Sequence, residues 1–132
     1  MIKKLALVLA FVPFGTAVSG QTVDCTAPET QHDMNYCADQ FYRMADEDLN
    51  LAYKQARSAA RQIDEYRPTD QPSAERMLKE AQRAWIAFRD QACATESMLA
   101  AGGSMQPTLH FSCLERLTRN RTEDLRYFGE VN

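Results

Sequence analysis

The chain is poor in the residues from which most catalytic and metal sites are built. It has two histidines and one tryptophan in 132 residues, and neither His32 nor His110 stands beside a candidate nucleophile. None of its four cysteines is spaced Cys-x-x-Cys, so the usual sequence signature of structural zinc is missing. Beyond Leu5 to Phe14 there is no long apolar run, and that run is shorter than the roughly 20 residues needed to cross a bilayer. No membrane span is expected. No stretch alternates apolar and polar residues over a useful length, which excludes a sheet. Nor is positive charge in excess: 15 basic residues face 18 acidic ones, a net charge of -3. Nucleic acid is therefore not an expected partner, because that affinity rests on neutralising phosphates.

What is present begins with a leader. Lys3 and Lys4, the apolar run and the small residues Ala17-Val18-Ser19 have the order of a cleaved secretory signal over residues 1-20, leaving a domain over 21-132. The leader holds two lysines and no carboxylate, so its removal takes the charge from -3 to -5. Cys25 follows Thr22-Val23-Asp24, which is not a lipidation context. All four cysteines, Cys25, Cys37, Cys93 and Cys113, lie in the exported part and read as two disulfides. Three pairings exist. The local one, Cys25 with Cys37 and Cys93 with Cys113, is favoured because it ties helix ends to adjoining loops. The alternative is a zinc site joining cysteines to His32 and His110. A periplasmic or secreted protein is expected.

The periodicity is helical throughout. Thr30-Gln31-His32-Asp33 resembles a capping box. From there Ala38, Tyr42, Ala45, Leu49, Ala52, Ala56, Ala59 and Ile63 recur at steps of four and three. Lys54, Arg57 and Arg61 sit toward the negative end of this helix, which should stop by Tyr66 or Arg67, ahead of Pro68 and Pro72. A second helix starts near Asp70 or Ser73 and carries Ala74, Leu78, Ala81, Trp85, Phe88 and Ala92 by the same rule. It should end at Gly102-Gly103. A third carries Leu114, Leu117, Leu125 and Phe128, with Gly129 marking its end. The expected fold is all-α: a long antiparallel helical hairpin whose two seams face each other, with Trp85 and Phe88 at its packing centre. The third helix packs on it, and two disulfides staple the whole.

Gln82, Trp85 and Arg89 fall on nearly one side of the second helix. A guanidinium there needs partners, and the first helix offers Asp46 and Asn50, one turn apart. With Arg121 these residues read as an interhelical polar network in which Arg89 or Arg121 bonds Asp46. A hydrolase would instead use Asp46, Asp48 or Asp90, but that chemistry needs paired carboxylates in a cleft, and spacing shows none. The protein is read as a non-enzyme with no catalytic residue, cofactor or metal. Gly102-Gly103-Ser104-Met105-Gln106-Pro107 is the most loop-like stretch, and with Gly102, Gly103 and Ser104 at its head it is a candidate binding loop braced by Cys93 and Cys113. Asp33, Asp39, Glu47 and Asp48 are candidates for an acidic docking surface.

Cys37, the stretch Ala45-Asp46-Glu47-Asp48-Leu49-Asn50-Leu51-Ala52-Tyr53, the stretch Gln82 to Cys93, Gly102-Gly103-Ser104, Cys113 and Leu117 to Thr122 together resemble the LprI-type lysozyme inhibitor domain family. The resemblance covers nearly all of the chain after the leader. It implies an exported, disulfide-linked helical domain that inhibits lysozyme; with the acidic balance of the chain, the expected protein partner is a basic lysozyme. The alternative is a periplasmic structural or interaction module with another envelope partner.

Overall fold

A computed structural model of the protein describes residues 23–130. The leader and its cleavage position lie outside the described residues. Among these residues three helices follow one another: α1 (Gln31–Tyr66), α2 (Ala74–Ser97) and α3 (Gln106–Glu130), with a short 3-10 turn at Met98–Ala100. Among the described residues there is no strand.

The start of α1 follows from its first four residues. Thr30 is extended; its hydroxyl accepts from the amide of Asp33, whose carboxylate accepts in return from the Thr30 amide. Two amides that the helix leaves unpaired are thereby satisfied. The Thr30 hydroxyl and amide hold the Asp33 carboxyl below the ordinary carboxylate range. The inward line is the expected one: Ala38, Ala45, Leu49, Ala52, Ala56 and Ala59 are buried, joined by Cys37 and Ala60.

The hairpin and third helix form, and both disulfides take the local pairing, Cys25 with Cys37 and Cys93 with Cys113. What covers the alanine stripe is different from the expectation. The seams of α1 and α2 do not face each other as the main interface, because α3, running parallel to α1, packs on it far more extensively than α2 does. Leu125 of α3 closes a core with Leu49, Ala52 and Ala56, against which Tyr53, Leu78, Trp85 and Phe128 pack. The alanines allow this approach. A Cβ placed on Gly129 would lie 3.7 Å from the Ala56 backbone nitrogen, so the two backbones run close together there. Gly129 thus belongs to the last turn of α3, and the helix continues through Glu130.

The phase of α2 also departs from the expectation. Phe88 is 62% exposed and Ala81 is exposed. The inward line is Leu78, Gln82, Trp85, Arg89, Cys93 and Ser97, of which Gln82, Arg89, Cys93 and Ser97 are buried and the other two half-buried. Trp85 packs on the core edge, but Phe88 is no part of the hairpin centre. The reason is polar: Gln82 and Arg89 find bonding partners on the neighbouring helices, so burying them costs little. A rule that sends polar residues outward misplaces the face.

The two connections differ. Ser73 caps α2 through the Arg76 amide, and the Asp64 carboxylate accepts from the Ser73 hydroxyl at 2.7 Å and from the amides of Ala74 and Glu75. Arg57 and Arg61 do not serve the end of their own helix. Both reach Glu75 of α2, at 2.5 and 3.1 Å. At the other connection α2 stops at Ser97, short of the glycines, and tightens into the 3-10 turn before Gly102 turns the chain with φ 75. That left-handed backbone is where glycine alone is unstrained.

Candidate functional site

Three features lie in the half of the bundle that holds the Cys93–Cys113 bridge: a polar network, a braced loop and a groove between α1 and α3.

The network centres on Arg89, whose side chain is only 8% exposed. Its Nε donates to Asp90 at 2.9 Å, and its Nη1 donates at 3.3 Å to both Asp46 of α1 and the Thr118 hydroxyl of α3. The guanidinium also lies over the rings of Trp85, at 5.1 Å, and Tyr42, at 5.5 Å, a stacking that suits a flat delocalised cation. Asn50 does not reach Arg89; it donates to the other Asp46 oxygen at 3.2 Å. Arg121 bonds Gln82 at 3.0 Å rather than Asp46. One arginine thus joins three helices. Thr118 and Thr122, both buried on α3, carry polar groups into this layer; the sequence marked them only as part of the Leu117 to Thr122 stretch, not as members of the network.

This arrangement occupies the carboxylates that a hydrolase would need. Asp46 and Asp90 both face the same guanidinium, while Asp48 lies apart, lining a small polar recess with Arg119, Thr122, Glu123 and Arg126. The zinc alternative fails on its ligands, because all four sulfurs are consumed in disulfides and a metal requires thiolates.

The loop containing Gly102, Gly103 and Ser104 is exposed yet tied down. Gly102 donates to Gln106 Oε1 at 3.0 Å and Gly103 to the Ala100 carbonyl at 2.9 Å. Asn35 of α1 donates to the Ser104 carbonyl at 3.1 Å, and Gln31 reaches the Thr108 hydroxyl at 2.8 Å. Beneath it, Cys93, Cys113 and Leu114 form a second buried cluster with Tyr42, Phe111 and Leu117 against it. Around this fixed backbone Met98, Leu99 and Met105 are exposed, Leu99 by 83%. Met105 lies in the stretch read as loop, whereas Met98 and Leu99 are the part of the loop that the sequence reading missed. Their signal was available: an apolar pair between the last inward residue of a helix and a glycine stop has no core to enter.

A shallow groove of about 530 Å³ runs beneath the loop, lined by Gly102, Gly103, Gln106, Pro107, His110 and Phe111 among others. Phe111 also lines a neighbouring groove of about 500 Å³ with Asp39, Tyr42, Arg43, Asp46 and Glu47. Of the four acidic candidates, Asp39 and Glu47 therefore share a surface adjoining the loop, whereas Asp33 is engaged in its capping box and Asp48 faces elsewhere.

Comparison with known proteins agrees with this architecture. A crystal structure of a DUF1311 family protein from Pseudomonas putida KT2440 superposes with a TM-score of 0.65 at 24% identity, covering 79% of this chain and 98% of that one; the likeness is one of fold. An uncharacterised protein of Rhizobium meliloti (strain 1021) is 44% identical over 110 residues, which span 81% of this chain and 79% of that protein. The family model described as lysozyme inhibitor LprI matches residues 24–125. The match takes in both disulfides, the Arg89 network and the braced loop, and on it the chain belongs to the LprI lysozyme inhibitor family.

Proposed function

We propose that the protein is an exported, non-enzymatic binding protein that inhibits lysozyme-type muramidases. It acts by inserting the braced Met98 to Met105 loop toward the enzyme's cleft while the adjoining acidic groove meets basic enzyme surface. The observation that carries this reading is the loop itself. Exposed apolar side chains on a backbone fixed by a disulfide and by bonds to α1 lose little freedom on docking, so more of their burial appears as affinity. The formal charge of -3 favours encounter with a basic partner. The two disulfides fit a compartment outside the reducing cytoplasm, and we assign the protein to the periplasm or the secreted fraction. Lysis of cell-wall suspensions by chicken-type, goose-type and invertebrate-type lysozymes, followed by turbidity with and without the oxidised protein, tests this. Inhibition of at least one class at micromolar protein is expected; none in any class overturns the reading.

A second reading has its own support. Met77 and Phe88 are exposed on the outer side of α2, on a face that loop-first docking leaves uncovered, which favours an interaction module with another envelope protein. Loss of a co-purifying envelope partner on Phe88→Ser, with inhibition of lysozyme absent, would select this alternative.

A further inference from the structure

We infer that the groove between α1 and α3, walled by Tyr42 and Phe111 and rimmed by Asp39, Asp46 and Glu47, receives a lysine or arginine side chain of the protein partner. This deepens the reading above and rests on docking at this end of the bundle. The Tyr42 and Phe111 rings stack with centroids 6.3 Å apart. They give the groove a π surface, which attracts cations. Its rim carries Asp39, Asp46 and Glu47 beside Arg43; Asp46 is already paired with Arg89, so Asp39 and Glu47 are the carboxylates a partner's cation would meet.

The chain already uses this surface to hold guanidinium groups of its own. Arg89 lies over Tyr42 from inside the bundle and bonds Asp46, and Arg43 bonds Asp39 at 2.8 Å from outside. The two are not equally held. Arg89 is locked by partners on three helices, whereas Arg43 is 66% exposed and pairs with one carboxylate within its own helix; such surface pairs contribute little. Glu47 engages no partner among the described residues. A cation arriving from a partner therefore finds Glu47 free, Asp39 released when Arg43 swings into solvent, and an aromatic wall for its aliphatic stem. Arg43 acts as an internal competitor for the groove.

That competition sets opposite signs for two exposed substitutions. The oxidised protein is titrated with acetyl-Gly-Arg-Gly-amide, and with the same peptide carrying glutamate, while backbone and aromatic NMR shifts are followed. Saturable shifts confined to residues 39–47 and 111 are expected for the arginine peptide alone. Arg43→Ala should tighten the peptide about threefold, and Glu47→Lys should weaken it about tenfold, as for other close interfacial charge pairs. The same variants should shift half-inhibition of lysozyme in the same directions. Shifts that fall elsewhere, equal response to the glutamate peptide, or weaker binding by Arg43→Ala overturn the assignment. Because the peptide readout needs no enzyme, a seated peptide without inhibition rejects the lysozyme reading and keeps the groove. Inhibition indifferent to both variants rejects the groove and keeps the lysozyme reading.

Discussion

The two connections of the bundle do the same mechanical job with opposite materials. Between α1 and α2 the chain is closed by charge: Asp64 takes the free amides and hydroxyl at the start of α2, and Glu75 takes Arg57 and Arg61. Between α2 and α3 it is closed by the Cys93–Cys113 bond, a left-handed glycine and a few amide bonds. The first solution spends the polar side chains that could have met a partner. The second puts the constraint in the backbone and leaves Met98, Leu99 and Met105 outside. A connection braced covalently can present its side chains; one braced by them cannot.

The largest test of this contrast is removal of the bond. Cys93→Ser with Cys113→Ser should cost about 3 kcal/mol in urea unfolding, the value expected for a loop of this length. It should also abolish inhibition at concentrations where folded protein persists. Inhibition that survives unchanged would mean the amide bonds suffice and the comparison is wrong.

At the other end, Ser73→Ala should cost about 1 kcal/mol, the worth of a helix cap, with inhibition intact once folding is allowed for. The same end should be acid-sensitive. The Ser73 hydroxyl, then the amides of Ala74 and Glu75, depress the Asp64 carboxyl, and Arg57 foremost depresses that of Glu75. Carboxyls with depressed folded pKa values stabilise above their unfolded values and lose that contribution as pH falls through the folded ones. The loss should therefore begin below about pH 4. Amide exchange near residues 64 to 76 should accelerate there before exchange near residues 93 to 113 does. The reverse order would refute the division of labour.

The smallest effect on stability should come from Leu99→Ser, within about 0.5 kcal/mol because the side chain is exposed. Inhibition should nevertheless fall, about tenfold, since truncating a central apolar anchor commonly costs more than 1 kcal/mol of binding. Equal loss of both would make Leu99 a structural residue.

How much of this was legible in the sequence differs by helix. On α1 the apolar and small residues are the buried ones, so spacing alone located the inward face from Ala38 to Ala59. Thr30 and Asp33 marked its start. On α2 the inward line contains Gln82, Arg89 and Ser97, and hydropathy pointed one residue off, to Ala81 and Phe88. Cys93 held the missing phase. A bridged cysteine lies inward, and counting back by four, eight and eleven from it gives Arg89, Trp85 and Gln82. The network residues were found by their chemistry, and the Asn50 bond to Asp46 is the one-turn spacing of a single helix, but the pairing of Arg121 with Gln82 depends on helix offsets that no spacing rule contains. The loop was found by its glycines. The groove was not, because Tyr42 and Phe111 meet only after α3 has folded alongside α1.

That parallel pairing of α1 with α3 also orders events in time. The alanine stripe of α1 is made first, and its chief cover, Leu125 to Gly129, is made only after all of α2. The Cys25 to Cys37 bond is local to one helix start and can close while the stripe is still bare. Core closure and the Cys93 to Cys113 bond instead wait for α3. Contacts of such high sequence separation slow folding, so the alanine face of α1 is the part of the core that is covered last.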